Sequence, residues 1–225
     1  MRLTRFGLPQ VAVYPLLVLA LMTAVFIVFR PKYWLIPVEI VLFIVFLWMI
    51  SFFRDPARII VPDELVLYSP ADGTITDIAE ADGGLETKAL RIGIFLSIFS
   101  VHINRVPCSV RIEKVNYKKG RFINAMSAES GRVNESNDIL MTRLEHPKDK
   151  LLVRQVSGAI ARRIVCEARE GSEYRQGQAF GMIKFGSRTE LYLPAGEHYD
   201  VAVKIGDKVR AGLSPLVRYK GTGRP

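Results

Sequence analysis

A β-rich α+β domain of barrel-sandwich type, preceded by two N-terminal hydrophobic helices, is the architecture this sequence predicts. Two apolar runs, Val11–Phe29 and Leu35–Phe53, each approach the ~20 residues needed to cross a bilayer core. Beyond Pro62 the pattern changes to short alternating segments broken by glycine and proline, which reads as strands and turns. Helical periodicity is hard to find there, and Gly158–Arg163 is the best candidate for a short helix or turn.

Taken in order, Arg2 and Arg5 precede the first run, and Arg30-Pro31-Lys32-Tyr33-Trp34 interrupts the two, with aromatic residues where an interface would hold them. A secretory signal fits poorly, because no small-residue cleavage site follows and a second run begins at once. The runs form a hairpin that either spans the bilayer or dips into one leaflet. Length favours spanning; the short connection and Glu39 favour the re-entrant form. Both forms return the termini to one side. Arg2, Arg5, Arg54 and Arg58 on that side outnumber Arg30 and Lys32, which predicts the cell (inner) membrane with the second domain facing the cytoplasm. Residues 1–58 are thus read as an anchor. Pro56 and Pro62 stop the helix, and the catalytic-sized domain 61–225 follows. Strands are expected at 66–68, 74–78, 89–96, 110–117, 138–144, 150–156, 162–166, 190–194 and 201–204.

The formal charge is +9, of which residues 1–58 carry +4. A basic surface suits an anionic membrane or a nucleic acid; with apolar runs attached, the membrane is the expected partner and nucleic acid is not. Cys108 and Cys166 match no metal spacing and no framework of bridges, so no metal is expected and the domain reads as reduced.

Three stretches concentrate chemistry. Asp72 lies in Pro70-Ala71-Asp72-Gly73, by default a plain turn. His102 lies in Phe99-Ser100-Val101-His102-Ile103-Asn104-Arg105-Val106-Pro107, a polar cluster after an apolar strand. Ser187 lies in Lys184-Phe185-Gly186-Ser187-Arg188-Thr189. Serine alone is a poor nucleophile; it needs a base within reach and a group to orient that base, roles His102 and Asp72 are able to fill. Phe185 and Thr189 stand where a hydrolase elbow requires glycine, and no Walker loop, zinc spacing or Rossmann glycine pattern occurs. An ordinary serine hydrolase is therefore disfavoured. Gly186 does permit another reaction, since a backbone without a side chain bends so that Ser187 Oγ reaches the preceding carbonyl.

Phe52-Phe53-Arg54-Asp55-Pro56, Pro70-Ala71-Asp72-Gly73, the His102 segment and Phe185-Gly186-Ser187, in that order and spacing, resemble the phosphatidylserine decarboxylase family in its short, membrane-anchored form. Each motif is weak singly, but the four together cover nearly the whole chain. The resemblance implies self-cleavage between Gly186 and Ser187, giving chains 1–186 and 187–225 held as a heterodimer. Attack of the Ser187 hydroxyl on the Gly186 carbonyl would give an ester. Elimination would then release Gly186 as a carboxylate and leave a dehydroalanine, which hydrolyses to a pyruvoyl cap. That group would form a Schiff base with phosphatidylserine and act as the electron sink for loss of carbon dioxide. His102 would donate the proton that quenches Cα, and Asp72 would orient or balance a base during cleavage. Longer bacterial relatives carry a second histidine where this sequence has Arg105. Either His102 serves both steps or another group, such as His198, replaces it. A homo-oligomer is compatible with this reading. The alternative is a non-catalytic carrier or binding module: turns at 69–75, 156–161 and 205–212 look like those of biotinyl and lipoyl domains, yet no lysine is well placed at a hairpin tip.

Overall fold

The computed structural model describes residues 2–8, 10–29, 33–81, 85, 88–127, 129–159, 163–184 and 187–220. The chain divides into two compact units, Met1–Ala57 and Arg58–Pro225. In the first, strand β1 (Arg2–Leu3) is followed by helices α1 (Gln10–Phe29) and α2 (Ile36–Phe52) and by strand β2 (Arg54–Asp55), which pairs antiparallel with β1. The 20 residues of α1 are long and apolar enough to cross a membrane. The 17 residues of α2 extend about 25 Å at 1.5 Å per residue, short of the ~30 Å hydrocarbon core. Pro37 stands in the first turn of α2, where its missing N–H costs nothing. At the other end Phe53 N–H turns back to the Ser51 carbonyl, and Phe52 and Phe53 meet edge to face at 5.1 Å.

The second unit contains, in order, β3 (Val66–Tyr68), β4 (Gly73–Ala81), β5 (Ala89–Leu96), β6 (Ile103–Arg105), β7 (Val110–Lys118), α3 (Ser130–Val133), β8 (Ser136–Arg143), β9 (Lys150–Val156), β10 (Ile164–Cys166), β11 (Glu173–Tyr174), β12 (Ala179–Ile183), β13 (Ser187–Pro194), β14 (Tyr199–Val201), β15 (Lys208–Val209) and β16 (Pro215–Tyr219). This is the expected β-rich α+β class. An antiparallel sheet runs β11-β7-β8-β9-β13-β5-β4-β15, with two smaller sheets, β10-β12-β6 and β14-β16-β3. Alternate residues of β5 and β13, including Ile92, Ile94, Leu191 and Leu193, enter one core with Ile139, Val153, Phe180 and Val217. Both cysteines are free thiols.

The rungs Lys118–Ser136, Ser136–Val156, Val156–Arg188, Arg188–Phe95 and Phe95–Thr74 cross one end of the large sheet. From that end leave the connections 69–72, 97–102 and 119–135, and there β13 begins. The last expected strand, 201–204, is observed at Tyr199–Val201, because Asp207 Oδ2 takes the Lys204 N–H at 2.9 Å and turns the chain. The turn or helix read at Gly158–Arg163 includes residues 160–162, outside the described residues.

Leu191 is fully buried in mid-strand on the core face. Leu191→Ala should lower unfolding free energy by about 2–5 kcal/mol, read by thermal or denaturant unfolding of the full chain. A midpoint equal to that of the parent protein would contradict this packing.

Candidate active site

Ser187 is the first residue of β13, in register with Leu96 of β5, and is fully buried. By strand alternation it shares the core-facing side with Thr189, Leu191 and Leu193. Its Oγ has no hydrogen-bond partner among the described residues. Gly186 and Phe185 lie outside those residues. Two positions on, Thr189 Oγ1 accepts from Asn104 Nδ2 at 3.0 Å. Asn104 Oδ1 in turn accepts from Gln155 Nε2 at 2.9 Å, and Gln155 Oε1 from Asn137 Nδ2 at 3.1 Å. A buried amide relay thus fixes the core face next to Ser187.

His102 ends the 97–102 connection that begins where Leu96 pairs with Ser187, and it is fully buried. Its Nδ1 lies 2.9 Å from the Ser100 carbonyl. A carbonyl only accepts, so Nδ1 carries the proton and Nε2 is the nitrogen that exchanges one. The His102 carbonyl accepts from Ile183 N–H at 3.2 Å, which ties the loop to the strand leading into residue 187. Asp72 sits at the same sheet end, in the connection before β4. Its Oδ1 accepts from Ala211 N–H at 2.8 Å and its Oδ2 pairs with Arg58 at 2.7 Å. Pro70, two residues earlier, accepts from Arg105 N–H at 3.0 Å, joining the Asp72 turn to the His102 segment. β4 and β13 flank β5, so their backbones are about 10 Å apart, two strand spacings. His198 is elsewhere. It follows the far end of β13, roughly 23 Å along the strand from Ser187, and pairs with Asp149 at 3.2 Å while 43% exposed.

The opposite face of β13 is polar and equally buried. Arg188, in rung with Val156 and Phe95, donates from Nε to Glu190 at 2.7 Å, from Nη1 to Thr76 at 2.7 Å, and from Nη2 to Asp77. Asp77 also meets Arg91 at 3.0 Å. Tyr192 donates to Glu190 at 2.7 Å, and Arg154 grips Asp138 through two bonds of 2.6 and 2.7 Å. Space for this cluster comes from two glycines. A Cβ on Gly93 would stand 2.0 Å from the Arg188 guanidinium, and one on Gly131 2.4 Å from the Glu190 carboxylate. Burial pushes the Asp77 carboxyl up, but Arg188, with Thr76 and Arg91, outweighs that and holds it below the usual carboxylate value. Its contribution to stability is therefore present above the unfolded pKa and is lost as pH falls through the folded one. Before residue 187, Lys184 is buried, which together with the Arg163 charge lowers its ammonium pKa.

A protein-family model described as phosphatidylserine decarboxylase matches residues 45–216. The chain belongs to the phosphatidylserine decarboxylase family. Relatives named phosphatidylserine decarboxylase proenzyme include that of Carboxydothermus hydrogenoformans, 42% identical over 192 residues, covering 84% of this chain and 87% of the relative. That of Rhodopirellula baltica is 38% identical over 220 residues, 97% and 91% of the two chains. That of Pelagibacter ubique is 41% identical over 177 residues, 76% and 80%.

The sequence expectation named Ser187, His102 and Asp72, with His198 as a spare base, and passed over Arg188, Asp77, Glu190 and Lys184. No local pattern marks that cluster: Asp77, Arg91, Arg188 and Glu190 come together only once β4, β5 and β13 pair around Gly93. Arg188→Met removes the cation closest to the buried Glu190 and the half-buried Asp77, and breaking a buried pair costs about 3–5 kcal/mol. Thermal unfolding should show that loss, and Arg188→Met with Glu190→Gln should recover part of it. An unshifted midpoint in the single variant would show that the cluster does not hold β13.

Proposed function

We propose that this protein converts phosphatidylserine to phosphatidylethanolamine and carbon dioxide, after cutting its own backbone between Gly186 and Ser187 and turning Ser187 into a pyruvoyl group. The observation that carries the reading is Ser187 itself, a buried hydroxyl without a described partner at the head of a strand locked from the next residue onward. A hydroxyl not committed to another acceptor is available to attack, and its buried setting fits a ketone that must be kept from water. The products 1–186 and 187–225 stay together as a heterodimer because β13 remains hydrogen-bonded to β5 and β9.

The pyruvoyl group supplies the electron sink for the charge left when the carboxylate departs. The rest is the work of the chain's own residues. The bond from Cα to the carboxyl carbon breaks, carbon dioxide leaves, and a proton takes its place. His102 delivers that proton from Nε2, with Nδ1–H held on the Ser100 carbonyl so that the ring presents one nitrogen to the reaction. During self-cleavage a base must take the Ser187 proton; His102 is the histidine on this side of the fold, and Arg105 occupies the place of the second histidine of longer relatives. Asp72, already balanced by Arg58, sets the charge and geometry of the turn beside it. The hydrophobic unit anchors the enzyme in the cell membrane as a helical hairpin, with the barrel-sandwich catalytic unit on the cytoplasmic side. Support comes from the apolar length of α1 and the cationic residues flanking the runs.

Ser187→Ala should remain one full-length chain in denaturing electrophoresis and release no carbon dioxide from phosphatidylserine. His102→Ala should lower turnover by at least about 10²-fold. Cleavage in the serine variant, or undiminished turnover in the histidine variant, would refute the respective role.

A further inference from the structure

The turn Ser97-Ile98-Phe99-Ser100 has a composition at odds with its geometry. Ser100 N–H closes it on the Ser97 carbonyl at 2.9 Å, and the two serine hydroxyls meet at 3.2 Å. Central turn positions ordinarily carry glycine, asparagine, aspartate or proline; here they carry Ile98, 36% exposed, and Phe99, 69% exposed. Two large apolar residues exposed together on a pre-formed turn tip suit insertion into an apolar phase. The turn lies between Leu96, the rung partner of Ser187, and His102.

The same sheet end displays more of the same character. Phe122 and Met126, 38% and 58% exposed, lie in the 119–135 connection that leaves from Lys118. Around them stand exposed Lys118, Lys119, Arg121 and Arg132, with Glu129 as the exposed acid, paired to Arg132 at 3.3 Å. Exposed apolar side chains and cations displayed at one sheet end are the complement of a lipid layer bearing anionic headgroups.

We propose that the Ser97–Ser100 turn is an interfacial docking loop, inserting Ile98 and Phe99 among the acyl chains of an anionic lipid layer so that a headgroup is delivered to the buried site beside it. This rests on the reading of the enzyme as acting on phosphatidylserine, and it assigns to this loop the contact with the diacyl part of that substrate.

Two measurements on the full-length chain test it. In the first, kcat/KM is compared for long-chain phosphatidylserine in phosphatidylcholine vesicles and for a short-chain phosphatidylserine dissolved as monomers. Phe99→Asp should lower the ratio of the two by about tenfold or more, with Phe99→Leu restoring much of it; a ratio like that of the parent protein overturns the proposal. In the second, Trp34 and Trp48 are replaced by phenylalanine and Phe99 by tryptophan, and the protein is reconstituted in vesicles containing brominated phosphatidylcholine. Fluorescence quenched by the bromines is expected. Unquenched fluorescence, whether water or a second copy of the chain covers the loop, overturns the proposal. This second readout needs no turnover. Quenching without decarboxylation of either substrate would therefore remove the enzymatic reading and leave the docking loop standing.

Discussion

Arg188 pins the head of the strand that Ser187 begins. A fully buried guanidinium is tolerable only when its donors are met, and here Glu190, Asp77 and Thr76 meet them from its own strand and from β4. Such a cluster is not an efficient source of stability, since apolar residues of equal volume would often do as well. What it provides is geometry. The residue after Ser187 is fixed on both edges by β5 and β9 and on its outer face by charge. In the proposed reaction Ser187 becomes a chain terminus, and a terminus frays unless something anchors it. The anchor begins one residue later.

On the other face of the strand the requirements are different. The amide relay Asn137–Gln155–Asn104–Thr189 satisfies buried polar groups beside the core, where leaving one unmet would be costly. Against this satisfied background Ser187 Oγ stands apart. His102 is oriented by a backbone carbonyl, and Asp72 is occupied by Arg58 and Ala211 N–H, so in the proposed reaction its part is electrostatic bracing of the turn.

Much of this was legible in the sequence. The expected strands 89–96 and 150–156 coincide with β5 and β9 because apolar residues dominate both, bounded by turns. Ser187, His102 and Asp72 stood out only together, through the order and spacing of their motifs, since the stretch around Asp72 alone reads as a plain turn. The charged cluster did not stand out. Arg188, Glu190 and Tyr192 alternate with apolar residues, as on a strand with one wet face, and only the chain folded over it, with Gly131 against Glu190, makes that face dry. Burial of this kind depends on contacts between distant segments, which no local pattern records. The distance of His198 from Ser187 was not legible either: β13 carries residues eleven positions apart to opposite ends of the sheet.

The most direct test of the central claim is the intact mass of the purified parent protein, before and after reduction with cyanoborohydride in the presence of an amine. The account predicts two polypeptides, 1–186 and a smaller one covering 187–225, with only the smaller gaining the mass of the amine. A single unmodified 225-residue chain in an actively decarboxylating sample would contradict it.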